Sequence, residues 1–185
     1  TLSVVVCCYS DDRRDVLMEG LDALASQTRT PDEIVVVVDH NPRLRDEVAA
    51  RGDVTVVENA GAPGLSDARN AGVEASHGSV IAFVDDDATP EPGWAEGLVA
   101  VFADPAVVAA GTRIDARWQS HRPPWFPPEF DWVVGCSYTG LPTAVADVRN
   151  PIGASMAVRR DALDAVGGFT DRLGRVGAQL TGCEE

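Results

Sequence analysis

The sequence predicts an α/β fold: a mostly parallel sheet flanked by helices on both faces. Two observations carry that prediction. Short uninterrupted apolar runs, such as 4–8 and 34–38, have the length of strands buried on both faces, and helix-period patterns alternate with them through the first two-thirds of the chain. Residues 2–9 read as the first strand. A helix over 13–27 follows, because Val16, Leu17, Leu21 and Leu24 recur at helical spacing and Ser10, Asp11 or Asp12 can cap it. The second strand, 33–38, ends in Asp39, and a helix over 42–50 comes next. The third strand is 54–58. The third helix spans 66–76, with Ser66 as its cap after the loop Gly61, Ala62, Pro63, Gly64. A fourth strand over 79–84 and a helix over 93–103 complete this part.

From Ala106 the texture changes. Residues 107–110 read as another strand, but the proline-rich run 122–128 can be neither a helix nor a central strand, since proline removes donors and fixes φ. Trp118, Trp125, Phe126, Phe130 and Trp132 gather around it. A surface excursion pinned by aromatic anchors and a substrate-facing flap explain that pattern equally well. A short strand over 154–159 and a short helix over 160–166 follow, broken by Gly167 and Gly168.

With 185 residues, 45% of them apolar, the chain can bury one sizeable core, and a single domain over 1–185 is expected. No run approaches the ~20 apolar residues of a spanning helix. The chain goes directly from Thr1 into a strand, with no signal peptide, and stops at Cys183, Glu184, Glu185. We therefore expect a start further upstream and a C-terminal portion beyond Glu185.

A formal charge of −14 excludes nucleic acid as a partner. An anionic ligand would need local compensation from arginine, helix N-termini or a metal. All 15 basic residues are arginine, which excludes a P-loop lysine and Schiff-base chemistry. The richness in Ala, Val, Arg, Gly and Asp suggests a GC-rich bacterial genome. Cys7, Cys8, Cys136 and Cys183 form no CxxC pair, and His40, His77 and His121 lie far apart, so no zinc or histidine metal site is expected. The cysteine pattern fits a reducing, cytoplasmic setting, and attachment to the inner face of the membrane stays open.

The most informative feature is Asp85-Asp86-Asp87, three carboxylates at the C-terminal end of a buried strand. In open α/β sheets that edge is where ligands bind. Crowded carboxylates repel one another, and oxygen-only donors favour a hard ion such as Mg²⁺ or Mn²⁺. The expected role is to hold a metal against a phosphate.

Five features in order then resemble the family 2 glycosyltransferases with the GT-A, Rossmann-like fold. They are a strand ending in Tyr9, a strand ending in Asp39, the run 64–70 containing Arg69 and Asn70, the aspartate triplet, and Gly182 to Glu185. The resemblance covers essentially the whole chain. It implies residues 1–105 as a nucleotide-binding half and 106–185 as the sugar and acceptor side. It also implies that Tyr9, Ser10, Asp39, Arg69, Asp85 and Asp86 bind a nucleotide-diphosphate sugar, with Asp86 having no separate role of its own. Asp87 would hold a divalent cation, Mg²⁺ or Mn²⁺, and Glu185, or else Glu184, would be the general base. The second acid of that pair is usually aspartate in the family, so Glu185 changes the reach and keeps the chemistry.

The implied activity is an inverting, metal-dependent transfer of a sugar to an acceptor hydroxyl on a carbohydrate or lipid-linked acceptor. A retaining transferase and a nucleotide-sugar binding module without turnover are the competing readings. A salt bridge to a neighbouring aspartate is the structural alternative for Arg69. A turn or capping role is the alternative for Asp39.

Overall fold

The apolar runs do form strands. The computed structural model describes residues 1–170 and the strand backbone of 174–176 and 179–181. Six strands build one sheet in the order β3-β2-β1-β4-β6-β5. The strands β1 (Leu2–Cys8), β2 (Glu33–Val38), β3 (Thr55–Glu58) and β4 (Val80–Asp85) run parallel. Strand β6 (Ser155–Arg159) is antiparallel to β4, and β5 (Ala109–Gly111) is antiparallel to β6. Strands β7 (Gly174–Val176) and β8 (Gln179–Thr181) pair antiparallel as a separate ribbon.

Alternation along the strands splits the core into two layers. On one face Leu2, Val4, Val6 and Cys8 of β1 pack with Leu17, Leu21 and Leu24 of α1 (Arg14–Ala25), Leu44 and Val48 of α2 (Pro42–Ala49), and Ala95 and Leu98 of α4 (Trp94–Val101). On the other, Val5, Val35, Val37, Ile81 and Phe83 meet Ala68 of α3 (Leu65–Ala75) and Leu163 of α5 (Arg160–Val166). Burying a Val or Leu side chain this way contributes about 1.5–3 kcal/mol each before entropy is charged. Helix α3 lies especially close to the sheet. A Cβ at Gly72 would overlap the side chains of Val5 and Val37, so glycine at this position sets the distance between helix and sheet.

Several element ends differ from expectation for local reasons. Chain 11–13 is a 3-10 turn capped by Ser10, and α1 begins only at Arg14. Helix α3 starts at Leu65 with Gly64 as its N-cap, at φ 151°, and Ser66 is buried inside the first turn rather than capping it. The strand expected at 107–110 is shifted to 109–111, and the proline-rich run leads into a 3-10 helix over Pro128–Val134.

The opposite end of the sheet is fastened by two successive arginines. Arg160 donates to the carbonyls of Gly78 (2.8 Å) and Val73 (3.1 Å) and to Ser76 Oγ (2.7 Å), while Arg159 donates to the carbonyls of Phe102, Asp104 and Val107. They bond carbonyls at and just beyond the ends of α3 and α4, where cations are favoured. Glu33 does the same for donors, accepting from Ser3 Oγ (2.5 Å), from the Gly78 N–H (3.2 Å) and from the N–H of His77.

Burial alone would raise the Glu33 carboxyl, but the bonds from Ser3 and His77 outweigh it and hold it down at about 2, below an ordinary value of 4.5. A carboxyl depressed in the folded state stabilises above its unfolded pKa, and that stability is lost as pH falls from about 4.5 towards 2. Urea denaturation across that window should show a loss of stability that Glu33→Gln lacks. At neutral pH Glu33→Gln should be less stable by about 1–3 kcal/mol, because the donors of Ser3 and His77 lose an ionised acceptor.

Candidate functional site

Parallel register determines what meets at the carboxyl edge. Cys8 lies beside Val38 and Cys7 beside Asp85, so the residues that leave β1, β2 and β4 emerge side by side. These are Tyr9 and Ser10, Asp39, and Asp86 with Asp87. The Tyr9 side chain is 63% exposed and open to a flat ligand. Ser10 holds the turn that follows, where its Oγ accepts from the Asp12 N–H at 3.2 Å.

Asp39 organises the neighbouring loop. Its Oδ1 accepts from Asn59 Nδ2 (2.8 Å) and lies 2.6 Å from His40 Nδ1, and its Oδ2 accepts from the Gly64 N–H (2.9 Å). Asn59 in turn donates to the Ala62 carbonyl and accepts from the Gly61 N–H. A carboxylate offers about four acceptor sites, so these three contacts leave about one for a ligand donor. Capping of α2 falls to Asn41, whose Oδ1 accepts from the Leu44 N–H, and not to Asp39. The turn role weighed for Asp39 is thus present, carried through the 59–64 loop.

The three aspartates occupy three different environments. Asp85 is the last residue of β4, and burial pushes its carboxyl up to about 6; Arg69 opposes this, and the charges of Asp87 and Asp86 reinforce it. Asp86 turns inward and is only 5% exposed. Its Oδ1 accepts from Arg13 Nη1 at 2.7 Å, while its Oδ2 is buried with no hydrogen-bond partner among the described residues. Asp87 faces out, 49% exposed, with Oδ2 at 3.2 Å from the same Arg13 nitrogen.

Arg69 is buried, 2% exposed, with its guanidinium over the rings of Phe83 (5.8 Å) and Phe169 (5.3 Å). Its Nη2 donates to the Gly153 carbonyl at 3.4 Å, and Nη1 has no partner among the described residues. The salt bridge weighed as its structural alternative is absent among the described residues, and its charge acts on Asp85 and Cys7. Asn70, its neighbour on α3, clamps Phe169 from both sides: Nδ2 donates to the Phe169 carbonyl (2.8 Å) and Oδ1 accepts from the Phe169 N–H (2.9 Å). Phe169 then meets Phe83 edge-on at 5.1 Å and closes the floor under Arg69.

Sequence reasoning missed Arg13 and Asn59 as parts of this arrangement, and gave Asn70 no role beyond its place in the run 64–70. The usable signal for Arg13 was its place just past the end of β1, beside the triplet-bearing strand. Glu184 and Glu185 lie outside the described residues.

The donor chemistry fits a hard divalent cation. Burial raises the thiols of Cys7 and Cys8 to about 12, so neither offers a thiolate, and carboxylate oxygens are the donors at the edge. Among the described residues no group of three or more His, Cys, Asp or Glu is placed to hold an ion by itself. Mg²⁺ and Mn²⁺ are commonly held by one or two carboxylates together with the phosphates of a ligand. Asp87, with an accessible oxygen, is the group that would hold it.

A mixed sheet with acidic residues gathered at its carboxyl edge is the architecture of GT-A glycosyltransferases, and solved structures of that class superpose on the chain. The mannosyltransferase of Pyrobaculum calidifontis, in complex with GDP-Man and Mn²⁺, matches with a TM-score of 0.67 at 23% identity, over 93% of this chain and 48% of that one. S. aureus TarS in complex with UDP matches with a TM-score of 0.68 at 17% identity, over 95% and 52%. These likenesses concern the fold. The sequence model of Glycosyl transferase family 2 matches residues 3–167, and the chain belongs to that family.

Among curated relatives, the glucosyl-dolichyl phosphate glucuronosyltransferase of Haloferax volcanii is 38% identical over 181 residues, 95% of this chain and 58% of the relative. The pre-mycofactocin glycosyltransferase of Mycobacterium tuberculosis is 36% identical over 78 residues, 42% of this chain and 17% of the relative. The chain thus spans under two-thirds of the length of these relatives. They come from an archaeon and a bacterium, so they do not bear out the bacterial source suggested by composition.

A carboxyl whose pKa is raised by folding costs stability once it ionises, and the cost grows as pH rises from about 3.8 through 6. Asp85→Asn should therefore stabilise the ligand-free protein at pH 7.5 by about 1–2 kcal/mol, read as a rise in thermal midpoint, and the gain should vanish near pH 4.

Proposed function

We propose that this chain is the donor-binding part of an inverting, divalent-cation-dependent glycosyltransferase that moves a sugar from a nucleotide diphosphate to an acceptor hydroxyl. The observation that carries the reading is the meeting of Asp39, Asp85, Asp87 and the incompletely partnered guanidinium of Arg69 at one sheet edge. Such an edge, on a chain of charge −14, asks for a ligand that is anionic at one end and a hydrogen-bond donor at the other.

In this reading the base lies against Tyr9, and its ring N–H is accepted by Asp39. Ser10 keeps the turn beside the base pocket in place. Arg69 offers Nη1 towards the diphosphate, and the aromatic floor holds its charge in a fixed direction. Asp85 accepts from the ribose or lies near the diphosphate, where a cation and Arg69 offset its cost of ionisation. Asp86 binds through Arg13 and supports its neighbours. Asp87 holds the cation, which when bound supplies Lewis-acid stabilisation of the leaving diphosphate.

The acceptor hydroxyl attacks the anomeric carbon as the bond to the diphosphate oxygen breaks. Its proton passes to the Glu185 carboxylate, or to Glu184 as second choice. One displacement inverts the anomeric centre.

For the acceptor, the relative that acts on glucosyl-dolichyl phosphate supports a lipid-linked sugar. The segment that follows β5 supports it too. There Trp118 and Phe126 are half-buried against each other, while Trp125 (78% exposed), Phe130, Trp132, Val133 and Val134 present apolar surface outward. Among the described residues no helix is long and apolar enough to cross a membrane.

Calorimetric titration with UDP and GDP, with and without Mn²⁺, is the direct test. Binding of one nucleotide, strengthened by Mn²⁺, is expected. Asp87→Ala should abolish the Mn²⁺ effect and lower transfer by ~100-fold or more. Nucleotide binding indifferent to both Mn²⁺ and Asp87 would remove the metal from the reading. Proton coupling constants of the product report the anomeric configuration, and a retained centre would overturn the single displacement.

A further inference from the structure

We propose that Arg13 is a built-in counter-ion of the aspartate triplet: it is anchored on Asp86 and competes with the divalent cation for Asp87. The inference rests on the reading of Asp87 as the cation's ligand.

The two contacts made by Arg13 are unequal. Nη1 donates a hydrogen bond to Asp86 Oδ1 at 2.7 Å, whereas the same nitrogen reaches Asp87 Oδ2 only as an ion pair at 3.2 Å. Asp86 is buried, and its second oxygen has no partner among the described residues, so Arg13 is the one charged donor found on it. A buried carboxylate robbed of its counter-ion is strongly destabilised, and this contact is therefore kept. Asp87 is half exposed, and its ion pair is screened by solvent and weakly held.

Arg13 itself sits at the end of the 3-10 turn that Ser10 caps, which fixes where its side chain starts. Its neighbour Arg14 points elsewhere, to Glu47 and Asp15 at 2.6 Å each. Arg13 is thus placed as a positioning residue. While the cation is away, it keeps Asp87 beside Asp86 and relieves the repulsion among the three acids. An arriving divalent ion carries twice the charge and needs the same Asp87 carboxylate. Its binding therefore costs the ion pair to Arg13 and brings it near a resident positive charge. Arg13 sets the affinity of the edge for the cation downward, so that tight binding waits for the added negative charge of a diphosphate.

The test is binding of Mn²⁺ alone, followed by the electron paramagnetic resonance signal of free Mn²⁺, to the whole chain and four variants. Arg13→Gln keeps a polar side chain but has no charge, and it should bind Mn²⁺ about tenfold more tightly, the factor expected for a partly screened unit charge nearby. Arg13→Lys keeps the charge and should bind within about twofold of the parent. Arg14→Gln changes net charge equally at a position away from the triplet and should also leave binding unchanged. Asp87→Asn should weaken it.

Unchanged or weaker binding by Arg13→Gln, beside a weakened Asp87→Asn, would overturn the competition and leave the reading of Asp87 intact. An equal gain in Arg13→Gln and Arg14→Gln would reduce the effect to net charge and overturn it as well. Binding indifferent to Asp87→Asn, or no binding by any form, would overturn the reading of Asp87 and the inference with it. If Arg13→Gln unfolds, Arg13→Gln made together with Asp86→Asn removes the buried acid along with its partner, and the same tenfold gain is expected of it relative to Asp86→Asn.

Discussion

Repulsion among carboxylates at one edge of the sheet is the constraint on which the rest of the structure depends. Parallel pairing of β1 with both β2 and β4 leaves no freedom: once the apolar residues face their layers, Asp39, Asp85, Asp86 and Asp87 must emerge together. Like charges at such separations repel by about 1 kcal/mol in water and several times that near a protein interior. The fold meets this with three different devices. Asp39 is engaged by N–H groups of the 59–64 loop, Asp86 is paired with Arg13, and Asp85 lies in the field of a buried Arg69. Asp87 is the one of the four acids that is exposed, and among the described residues its only charged partner is Arg13, by the weaker contact.

Fastening is separated from this edge. At the opposite end, Arg159 and Arg160 satisfy carbonyls of α3, α4 and the turns after them, and Glu33 gathers N–H groups from the turn before β4. These contacts are made to backbone groups with near-ideal distances, so they hold elements rather than side chains. Close approach of α3 through Gly72 then carries that rigidity across the sheet to Arg69 and Asn70. The Asn70 clamp on Phe169 extends it once more, to the chain that follows α5. An electrostatically costly edge is supported by a frame whose own polar groups are satisfied elsewhere.

Much of this was legible in the sequence, for a physical reason. Buried parallel strands read as continuous apolar runs, so β1, β2 and β4 stood out, and the acids following them could be assigned to one edge without coordinates. Helix ends were less legible. Ser66 looks like a cap, but the positive φ open to Gly64 starts α3 earlier and turns Ser66 inward. Arg13 and Asn70 were invisible as partners because their contacts, to Asp86 and Phe169, span 73 and 99 residues. Local pattern carries no information at that separation. Asp86 shows the same limit from the other side: three consecutive aspartates look alike in sequence, and only the direction of each side chain distinguishes the buried ion pair from the open oxygen.

The proline-rich segment shows why composition alone could not decide between an anchored excursion and a flap. Its aromatic residues are of two kinds: some pack on one another within the segment, and others project outward. Arg122 pairs with both oxygens of the buried Asp131, at 2.6 and 2.7 Å, and its guanidinium lies over the rings of Trp118 and Phe126. That ion pair and its aromatic cover tie 118–131 together locally. The remaining aromatic residues, Trp125, Phe130 and Trp132, are therefore not needed as anchors and project outward. Large apolar side chains presented by a locally tied segment pay less ordering cost when they meet a partner than the same side chains on a free loop.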